Sequence, residues 1–474
     1  MAKKRLFLLT LLQLCSTQSP DFSIPNILIA VSKHAADKVT SSSTVARTTR
    51  TTRTTSSYTN TLTDAVTPVN WMPQGIARAL GPVSSHIYSV TNKGIDLVQF
   101  VKDYREASKN MDAILDIDEL IPKYGFRVEI HAVTTKDFYK LTMYRIPGDG
   151  RAVFLMHGLL GSADDFVVAG RDSGLAYLLA DAGYDVWLGN ARGNKHSLSH
   201  STFKPSEAKF WDFSFHEIGL YDLPAMIDYV LHKTNKTTLT YIGHSQGTTA
   251  FFVMASEKPE YNQKIHLMIA LSPVVFMENV RSPIIRLMSP GTLLTDGFSK
   301  SLGQYEFLPD NNFIKVMKLL LCEAGPIAEI VCSNALFLVA GFDYQQLNIS
   351  NLPVILGHVP SGASIKQFAH YGQGVLSDDF RQFDYGFDAN LKRYGVGVPP
   401  SYELESVIAP VALFYSESDW LAHPKDVERL LQSLSSVVDM YKVPLQQFNH
   451  LDFFMARDVK NLVNNRVLKV MMAL

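Results

Sequence analysis

The spacing of apolar and polar residues changes near Asp116, where short apolar runs begin to alternate with amphipathic segments. Polar-apolar alternation, typical of a half-buried strand, covers 126–133 and 139–146, and a solid apolar run follows at 152–156. Further elements are predicted along the chain: strands at 184–188 and 239–242, and helices at 175–182, 223–232 and 248–256. Strands interleaved with helices indicate an α/β fold whose mostly parallel sheet is covered by helices on both faces.

These patterns divide the chain into a leader, a core and an insertion. Residues 39–65 are rich in Ser and Thr and have too few apolar side chains to offset the entropy lost on ordering. The segment 275–399 interrupts the alternation of strands and helices, so we expect it to fold over the sheet as a helical cap. The expected divisions are a signal peptide over 1–19, a disordered leader or propeptide over 20–90, a core over 91–274 and 400–474, and the cap over 275–399.

A serine lies between two glycines just after the predicted strand 239–242. The stretch Gly243-His-Ser245-Gln-Gly247 matches G-x-S-x-G, in which a sharp strand-to-helix turn exposes the serine oxygen. The alternative is a glycine-rich turn that contains Ser245 by chance. Because ligands of parallel sheets bind at the carboxyl ends of strands, we interpret Ser245 as a nucleophile.

A serine nucleophile needs a base and a carboxylate that orients the base. Behind a G-x-S-x-G turn the order along the chain is serine, acid, histidine. Asp419 follows a β-rich run that begins at Ala409, which leaves its carboxylate in a loop at the carboxyl end of a strand. Asp419 is therefore the predicted acid, and the alternative is Asp426, which lies inside a helical pattern.

Two histidines lie beyond Asp419 and compete for the role of base. His450 lies between a strand-like run, 439–448, and a predicted helix, 453–472, which is the position expected of the base. His423 lies only four residues beyond Asp419 in the same predicted loop. We therefore predict His450 as the base and interpret His423 as a surface residue.

Two backbone N–H groups are predicted to bind the negatively charged oxygen that forms during acyl transfer. One belongs to Gln246, directly after the nucleophile, and the other belongs to Leu159, in the loop after the apolar run 152–156. Gly158 would let the backbone approach the reacting group closely. Each such donor contributes about 3 kcal/mol to transition-state stabilisation. His157 is interpreted as a structural hydrogen-bonding residue.

Length, charge and composition narrow the class of protein. The chain has 474 residues, enough for two or three average domains or for one large domain with insertions, and 46% of them are hydrophobic. Lys and Arg together number 44 and Asp and Glu 45. The absence of a basic excess argues against a nucleic-acid partner.

The N-terminus has the pattern of a secretory signal. Lys3, Lys4 and Arg5 precede the apolar run 6–15, and small polar residues follow. The apolar run is shorter than the ~20 residues of a spanning helix, and no later segment has the pattern of a membrane span. We expect a secreted protein, in the extracellular space or a gut lumen, with the lysosome as the alternative location. An uncleaved anchor or a buried helix is the other interpretation of the run.

Residues typical of secretory maturation agree with that signal. Cys322 and Cys332 remain as a pair once the signal, with the third cysteine, is removed. An oxidising compartment would allow them to form a disulfide, and two buried thiols are the alternative. Asn235 and Asn348 each begin an N-glycosylation sequon.

Six motifs together carry a resemblance to the acid lipase family, which includes gastric, lysosomal and insect digestive lipases. They are HGLLGS, GNARGNKHSLSH, FWDFSFHEIGLYDLPAMIDYVL, GHSQG, SDWLAHP and FNHLDFF. The resemblance runs from about Leu115 to near the C-terminus. The family often has Asp-Gly-Tyr where this chain has Asp137-Phe138-Tyr139, and an acidic residue at the position of His423.

The resemblance implies an α/β-hydrolase fold with a helical cap after the sixth strand, and hydrolysis of neutral-lipid esters such as triglyceride or sterol ester. It assigns the nucleophile to Ser245, the acid to Asp419, the base to His450 and the oxyanion donors to Leu159 and Gln246. No cofactor or metal is expected, and we expect a monomer. The alternatives are a catalytically silent lipid-binding or storage protein on the same fold, and another α/β-hydrolase such as a peptidase.

The predicted cap contains two unusually apolar stretches. Residues 313–321 place Lys315 and Lys318 on one helical face and apolar side chains on the rest, and 327–342 is more apolar still. One interpretation is that an exposed apolar face of the cap binds a lipid interface. The other, given equal weight, is that both helices bury their apolar sides on the core.

Overall fold

A computed structural model of the chain describes residues 109–282, 285–286, 289, 305–307, 339–341, 343 and 345–474. The predicted signal peptide and leader lie outside these residues. So do Cys322 and Cys332, the predicted cap stretch 313–321 and most of the stretch 327–342.

Eleven strands occur in the described ranges: β1 (Glu129–Thr134), β2 (Tyr139–Ile146), β3 (Ala152–Met156), β4 (Asp185–Leu188), β5 (Ser199–His200), β6 (Leu239–His244), β7 (Ile265–Leu271), β8 (Glu306–Phe307), β9 (Ala363–Ser364), β10 (Val411–Tyr415) and β11 (Val437–Lys442). The main sheet has the order β1-β2-β4-β3-β6-β7-β10-β11, with β5 paired to β2. β1, β2 and β5 pair antiparallel to their neighbours. The rest of the main path, β4-β3-β6-β7-β10-β11, pairs in parallel. β8 and β9 form a separate antiparallel pair. The predicted mostly parallel α/β sheet is confirmed.

Burial along the strands follows from their place in the sheet. Every residue of the central strands β3, β4 and β6 is buried, because helices cover both faces of the sheet. The edge strands β1 and β11 instead alternate between half-buried and exposed residues. The solid apolar runs at 152–156 and 239–242 therefore correspond to central strands, and the alternating runs to β1 at the edge and to β2 beside it.

Helices in the described ranges connect these strands: α1 (Ile117–Lys123), α2 (Leu175–Asp181), α3 (Phe215–Glu217), α4 (Leu223–Thr234), α5 (Gln246–Glu257), α6 (Leu352–His358), α7 (Ile365–Ser377), α8 (Phe387–Tyr394), α9 (Pro424–Ser433), α10 (Asp452–Met455) and α11 (Asn465–Ala473). A π-helical turn, Ile218–Asp222, joins α3 to α4, and another, Lys460–Asn464, precedes α11.

Two predicted elements near the C-terminus have the wrong length. The strand predicted at 439–448 ends at Lys442, two residues before Pro444, which has no N–H to donate to a sheet. The helix predicted at 453–472 is broken after Met455, where Arg457 N–H donates to Gln346 C=O at 2.8 Å. Pairing with a distant segment therefore outweighs the local helical pattern.

The chain leaves the main sheet between two neighbouring strands. β7 ends at Leu271, and β10, its parallel neighbour, begins at Val411. β7 is the sixth strand in chain order on the main path of the sheet. We call the segment between these strands, 272–410, the excursion, and its described part includes α6, α7 and α8.

A buried ion cluster attaches the excursion to the core. The carboxylate of Asp164, in the turn after β3, contacts His196 Nε2 at 2.8 Å, His358 Nδ1 at 2.7 Å and Lys195 Nζ at 2.5 Å. Burial opposes its ionisation, but the hydrogen bonds from His196 and His358 and the charge of Lys195 hold the pKa of Asp164 well below the usual range. Because this pKa is depressed in the folded state, its contribution to stability is lost only as the pH falls towards that low value. We therefore expect the contacts between Asp164 and His358, which hold α6 to the core, to persist at acidic pH.

A buried arginine explains one of the sequence blocks quoted above. Arg192, in GNARGN, is 2% exposed, and its Nε donates to Asp222 Oδ1 at 2.8 Å. Its two Nη atoms contact the carboxylate of Asp137 at 2.5 and 2.9 Å. Removing one partner of such a buried pair costs about 3–5 kcal/mol. Arg192 in this block therefore has a structural role.

Phe138, at which this chain differs from the Asp-Gly-Tyr pattern mentioned above, lies in a strained turn between β1 and β2. Phe138 has φ of 73° and is 59% exposed. A side chain in this left-handed region costs about 1–2 kcal/mol, which glycine avoids. The glycine that the acid lipase family often has at this position would adopt the same backbone without strain.

Candidate active site

Ser245 occupies a strained turn between β6 and α5. Its φ is 51° and its ψ is −115°, and α5 begins at the next residue. A Cβ on Gly247 would lie 2.3 Å from Met156 O, and one on Gly243 would lie 2.8 Å from the carbonyl carbon of Gly247. Both glycines are therefore required by close backbone approach, which is the physical reason for the pattern G-x-S-x-G.

Three side chains from distant parts of the chain form a hydrogen-bonded series. His450 Nε2 lies 2.7 Å from Ser245 Oγ, and His450 Nδ1 lies 3.0 Å from each carboxylate oxygen of Asp419. Ser245 is 8% exposed, His450 2% and Asp419 0%. The imidazole thus lies between a hydroxyl and a carboxylate, with little water to compete for either contact.

Asp419 is held as a buried carboxylate by several donors. Its Oδ1 accepts hydrogen bonds from the N–H groups of Leu421, at 2.9 Å, and Ala422, at 2.8 Å. Its Oδ2 accepts from the hydroxyl of Ser272. Burial alone would raise the pKa of Asp419, but the charge of His450 and the hydrogen bonds to His450 and Ser272 lower it below the usual value. The group is therefore ionised and fixed in orientation.

The two predicted oxyanion donors lie on adjacent loops. Met156 at the end of β3 pairs with Gly243 of β6, so the loops after these strands leave the sheet side by side. A Cβ on Gly158 would lie 3.1 Å from Ser245 Cβ, which shows how closely the loop of Leu159 passes the serine. In the described part of the chain, the N–H groups of Leu159 and Gln246 have no acceptor. Both are free to bind an oxygen.

The alternative acid and base lie in other environments. The interpretation of His423 as a surface residue is wrong, since it is only 4% exposed. His423 caps α9, where its Nδ1 accepts from Lys425 N–H at 3.3 Å, which is the role an acidic residue often has at a helix start. Asp426 accepts from the backbone and side-chain N–H groups of Asn279 at 3.0 and 2.8 Å. Neither contacts Ser245.

Both ring nitrogens of His157 make hydrogen bonds within the fold, in agreement with its interpretation as a structural residue. Its Nδ1 donates to Gly158 C=O at 2.8 Å, and its Nε2 accepts from Ala191 N–H at 3.1 Å. Burial lowers the pKa of His157 to about 4, so the ring is neutral. It supports the loop that carries Leu159.

Two polar residues of the site were not identified from the sequence. Ser272, directly after β7, has its Oγ 2.6 Å from His450 Nδ1 and donates to Asp419. His244 donates from Nε2 to His450 C=O at 3.0 Å, and burial and the charge of His450 lower the pKa of His244 to about 3. No motif marks Ser272, whereas the position of His244 inside GHSQG could have drawn attention to it.

Other predicted features lie away from these residues. Asn235 is exposed at the end of α4, and Asn348 is half-buried. Within the described ranges, no cluster of three or more His, Cys, Asp or Glu side chains could hold a metal ion. Among the helices that the structure describes, none has the length and apolar character needed to cross a bilayer.

Comparison with family models and solved structures places this geometry among the α/β-hydrolases. Residues 151–295 match the model of the alpha/beta hydrolase fold, and residues 117–170 match that of the partial alpha/beta-hydrolase lipase region. A candidate lipase from Sulfolobus solfataricus shares the fold with a TM-score of 0.53 at 15% identity. The alignment covers 73% of this chain and 94% of that one.

Curated relatives are more closely similar in sequence. Lipase 1 of Drosophila melanogaster is 44% identical, over 76% of this chain and 80% of its own length. Gastric triacylglycerol lipase of Rattus norvegicus is 37% identical, over 76% of this chain and 93% of its own. Lysosomal acid lipase/cholesteryl ester hydrolase of Homo sapiens is 36% identical, over 75% and 90%. The chain therefore belongs to the acid lipase family of α/β-hydrolases and is a lipase or esterase.

Proposed function

We propose that this chain hydrolyses neutral-lipid esters by way of an acyl-enzyme formed on Ser245. In this proposal His450 is the general base, Asp419 orients it, and the N–H groups of Leu159 and Gln246 bind the oxyanion. The observation that carries the proposal is the hydrogen-bonded series from Ser245 through His450 to Asp419. A serine hydroxyl is a weak nucleophile on its own, and an imidazole nitrogen 2.7 Å away can accept its proton as it attacks.

Each step uses a group already in place. Ser245 Oγ attacks the ester carbonyl carbon while its proton passes to His450 Nε2, and the carbonyl oxygen becomes an oxyanion bound by Leu159 and Gln246. The carbon–oxygen bond to the alcohol then breaks as Nε2 returns the proton to the leaving oxygen, which leaves an acyl-enzyme. Water attacks the acyl group with its proton going to Nε2, and the fatty acid leaves as Ser245 regains a proton. Asp419 stays ionised throughout and stabilises the imidazolium.

The substrate class is inferred from the relatives. Those compared above include a triacylglycerol lipase and a cholesteryl ester hydrolase, so we infer triglyceride or sterol ester as the substrate, presented at a lipid interface. We expect faster turnover of emulsified long-chain esters than of dissolved short-chain esters. Initial rates on a panel of triglycerides, sterol esters, phospholipids and p-nitrophenyl esters between pH 4 and 9 would test this. If rates were higher on dissolved short-chain esters at every pH, the protein would be an esterase that does not act preferentially at a lipid interface.

We also propose that the protein matures in the secretory pathway, as a monomer delivered outside the cell or to the lysosome. The basic and apolar N-terminus, the sequons at Asn235 and Asn348 and the pair Cys322 and Cys332 support this proposal. Expressed in a eukaryotic secretory host, the protein should lose its N-terminal segment and fall in mass on endoglycosidase treatment. It should also show no free thiol when denatured without reductant. A retained N-terminus with three titratable cysteines, Cys15 included, would contradict this maturation.

A further inference from the structure

Ser272 makes two contacts that place it between the proposed acid and base. Its Oγ lies 2.6 Å from His450 Nδ1 and donates a hydrogen bond to Asp419 Oδ2. The residue is fully buried, and its N–H donates to Phe414 C=O at 2.8 Å, so the neighbouring strand β10 fixes its backbone. The hydroxyl thus contacts both Asp419 and His450 without facing the site of bond breaking at Ser245.

We propose that Ser272 is a fourth member of the catalytic series. It is a positioning residue that fixes the orientation of the Asp419 carboxylate relative to the His450 ring. This inference rests on the proposed roles of Asp419 and His450. The hydroxyl donates its proton to Asp419 Oδ2, and its oxygen shares the Nδ1–H of His450 with the carboxylate. Ser272 touches no substrate and takes no proton from the reaction.

The need for this hydroxyl follows from the donors around Asp419. The N–H groups of Leu421 and Ala422 both bind Oδ1, so among the residues that the structure describes Oδ2 has only Ser272 and His450 as partners. A buried carboxylate oxygen with an unfilled hydrogen-bonding position is costly. Without Ser272 the carboxylate could turn about its Cβ–Cγ bond, and the imidazole would lose the fixed direction in which Nε2 faces Ser245.

Other titratable groups within the described ranges also act on this carboxylate. Besides His450, they include His244 at the end of β6, His423 at the start of α9, and Asp452 at the start of α10. Burial lowers the pKa of His244 and of His423, which favours their neutral forms, and burial raises the pKa of Asp452, which favours its protonated form. None of these three supplies a hydrogen bond to Asp419 that could replace the one from Ser272.

The backbone at Ser272 supplies an independent observation. Its φ is 53°, in the left-handed region that glycine adopts without strain. A side chain at this position is unfavourable for the backbone, so a serine there is explained by what its hydroxyl contacts. Strained backbone of this kind is concentrated at functional sites.

Two substitutions separate the hydroxyl from the backbone. Ser272→Ala and Ser272→Gly both remove the hydroxyl, and only glycine relieves the positive φ. We expect kcat to fall about tenfold in both variants with KM unchanged, because the lost interaction is a hydrogen bond to a charged group. Ser272→Gly should be at least as stable in thermal unfolding as Ser272→Ala. If both variants lost kcat to the same extent although their thermal stabilities differed, the loss of kcat would come from the missing hydroxyl.

Ser416 provides a matched control. It is also a fully buried serine near Asp419, after β10, and its Oγ has no hydrogen-bond partner within the described residues. Ser416→Ala should leave kcat within about twofold of the parent. An equal loss of kcat from Ser416→Ala and Ser272→Ala would show that any buried serine in this region matters only for packing.

A double-mutant cycle with Asp419→Asn tests the mechanism of the effect. If Ser272 acts through the carboxylate, Ser272→Ala should lower kcat in the parent and have no further effect in the Asp419→Asn background. Independent losses that multiply would overturn the inference. Unchanged kcat in Ser272→Ala, with a large loss in Asp419→Asn, would also overturn it and leave the proposed triad intact. Activity retained in Asp419→Asn would instead refute the triad itself.

Discussion

Ser245→Ala should abolish ester hydrolysis, with kcat falling on the order of 10⁴-fold or more, while the protein stays folded. Alanine removes the oxygen that attacks the ester and keeps the Cβ that the elbow already accommodates. Stopped-flow or titrimetric rates on an emulsified triglyceride, with circular dichroism as the check on folding, would measure this. Activity within tenfold of the parent in a folded variant would show that the nucleophile is another residue.

His450→Ala should cost a comparable factor, because the members of such a series act as a unit. The variant combining Ser245→Ala and His450→Ala should therefore be little worse than either alone. His423→Ala is the matched control, since His423 is also largely buried but contacts the start of α9 instead of Ser245. If His423→Ala rather than His450→Ala eliminated activity, His423 would be the base.

Asp419→Asn should lower kcat on the order of 10⁴-fold with little change in the structure of the site. The amide can still accept from Leu421 and Ala422 through its oxygen, but its NH₂ then faces His450 Nδ1 and favours the wrong tautomer of the ring. Rates across the pH range on a soluble ester would measure the loss. Asp426→Asn is the control, and it should change stability through Asn279 but not the chemical step.

The order of the elements could be predicted because burial produces distinct patterns. Runs such as 152–156 are apolar at every position since β3 lies between two neighbours with helices on both faces. The edge strand β11 was predicted at the wrong length, because apolar residues such as Leu445 and Phe448 continue past the point where Pro444 prevents pairing. Similarly, the break between α10 and α11 depends on pairing with residues 346–347, which no local pattern contains.

The proposed triad could be named from the sequence because each member follows a strand and carries a distinctive chemical group. The contacts of Ser272 could not, since they depend on β7 and β10 being neighbours although more than a hundred residues of chain separate them. A serine in a loop has no periodicity and no motif to mark it. The positive φ that places its hydroxyl towards Asp419 is a tertiary property.

The attachment of the excursion by Asp164 was missed for a similar reason. Its partners His196 and His358 lie far apart in the sequence, and a lone histidine in an apolar helix such as α6 gives no indication of its contact. The substitution of Phe138 for a family glycine was visible in the sequence, but its physical meaning, a strained left-handed turn, required the backbone.

Covalent labelling tests the central claim, that hydrolysis proceeds through an acyl-enzyme on Ser245, most directly. The protein would be treated with a long-chain alkyl phosphonate ester, which forms a stable adduct with an activated serine, and digested for peptide mass spectrometry. We predict one phosphonyl group per protein molecule, attached to Ser245, with activity lost in proportion to labelling. The Ser245→Ala variant should remain unlabelled. An adduct on a different residue, or full activity in protein labelled completely at Ser245, would contradict the account.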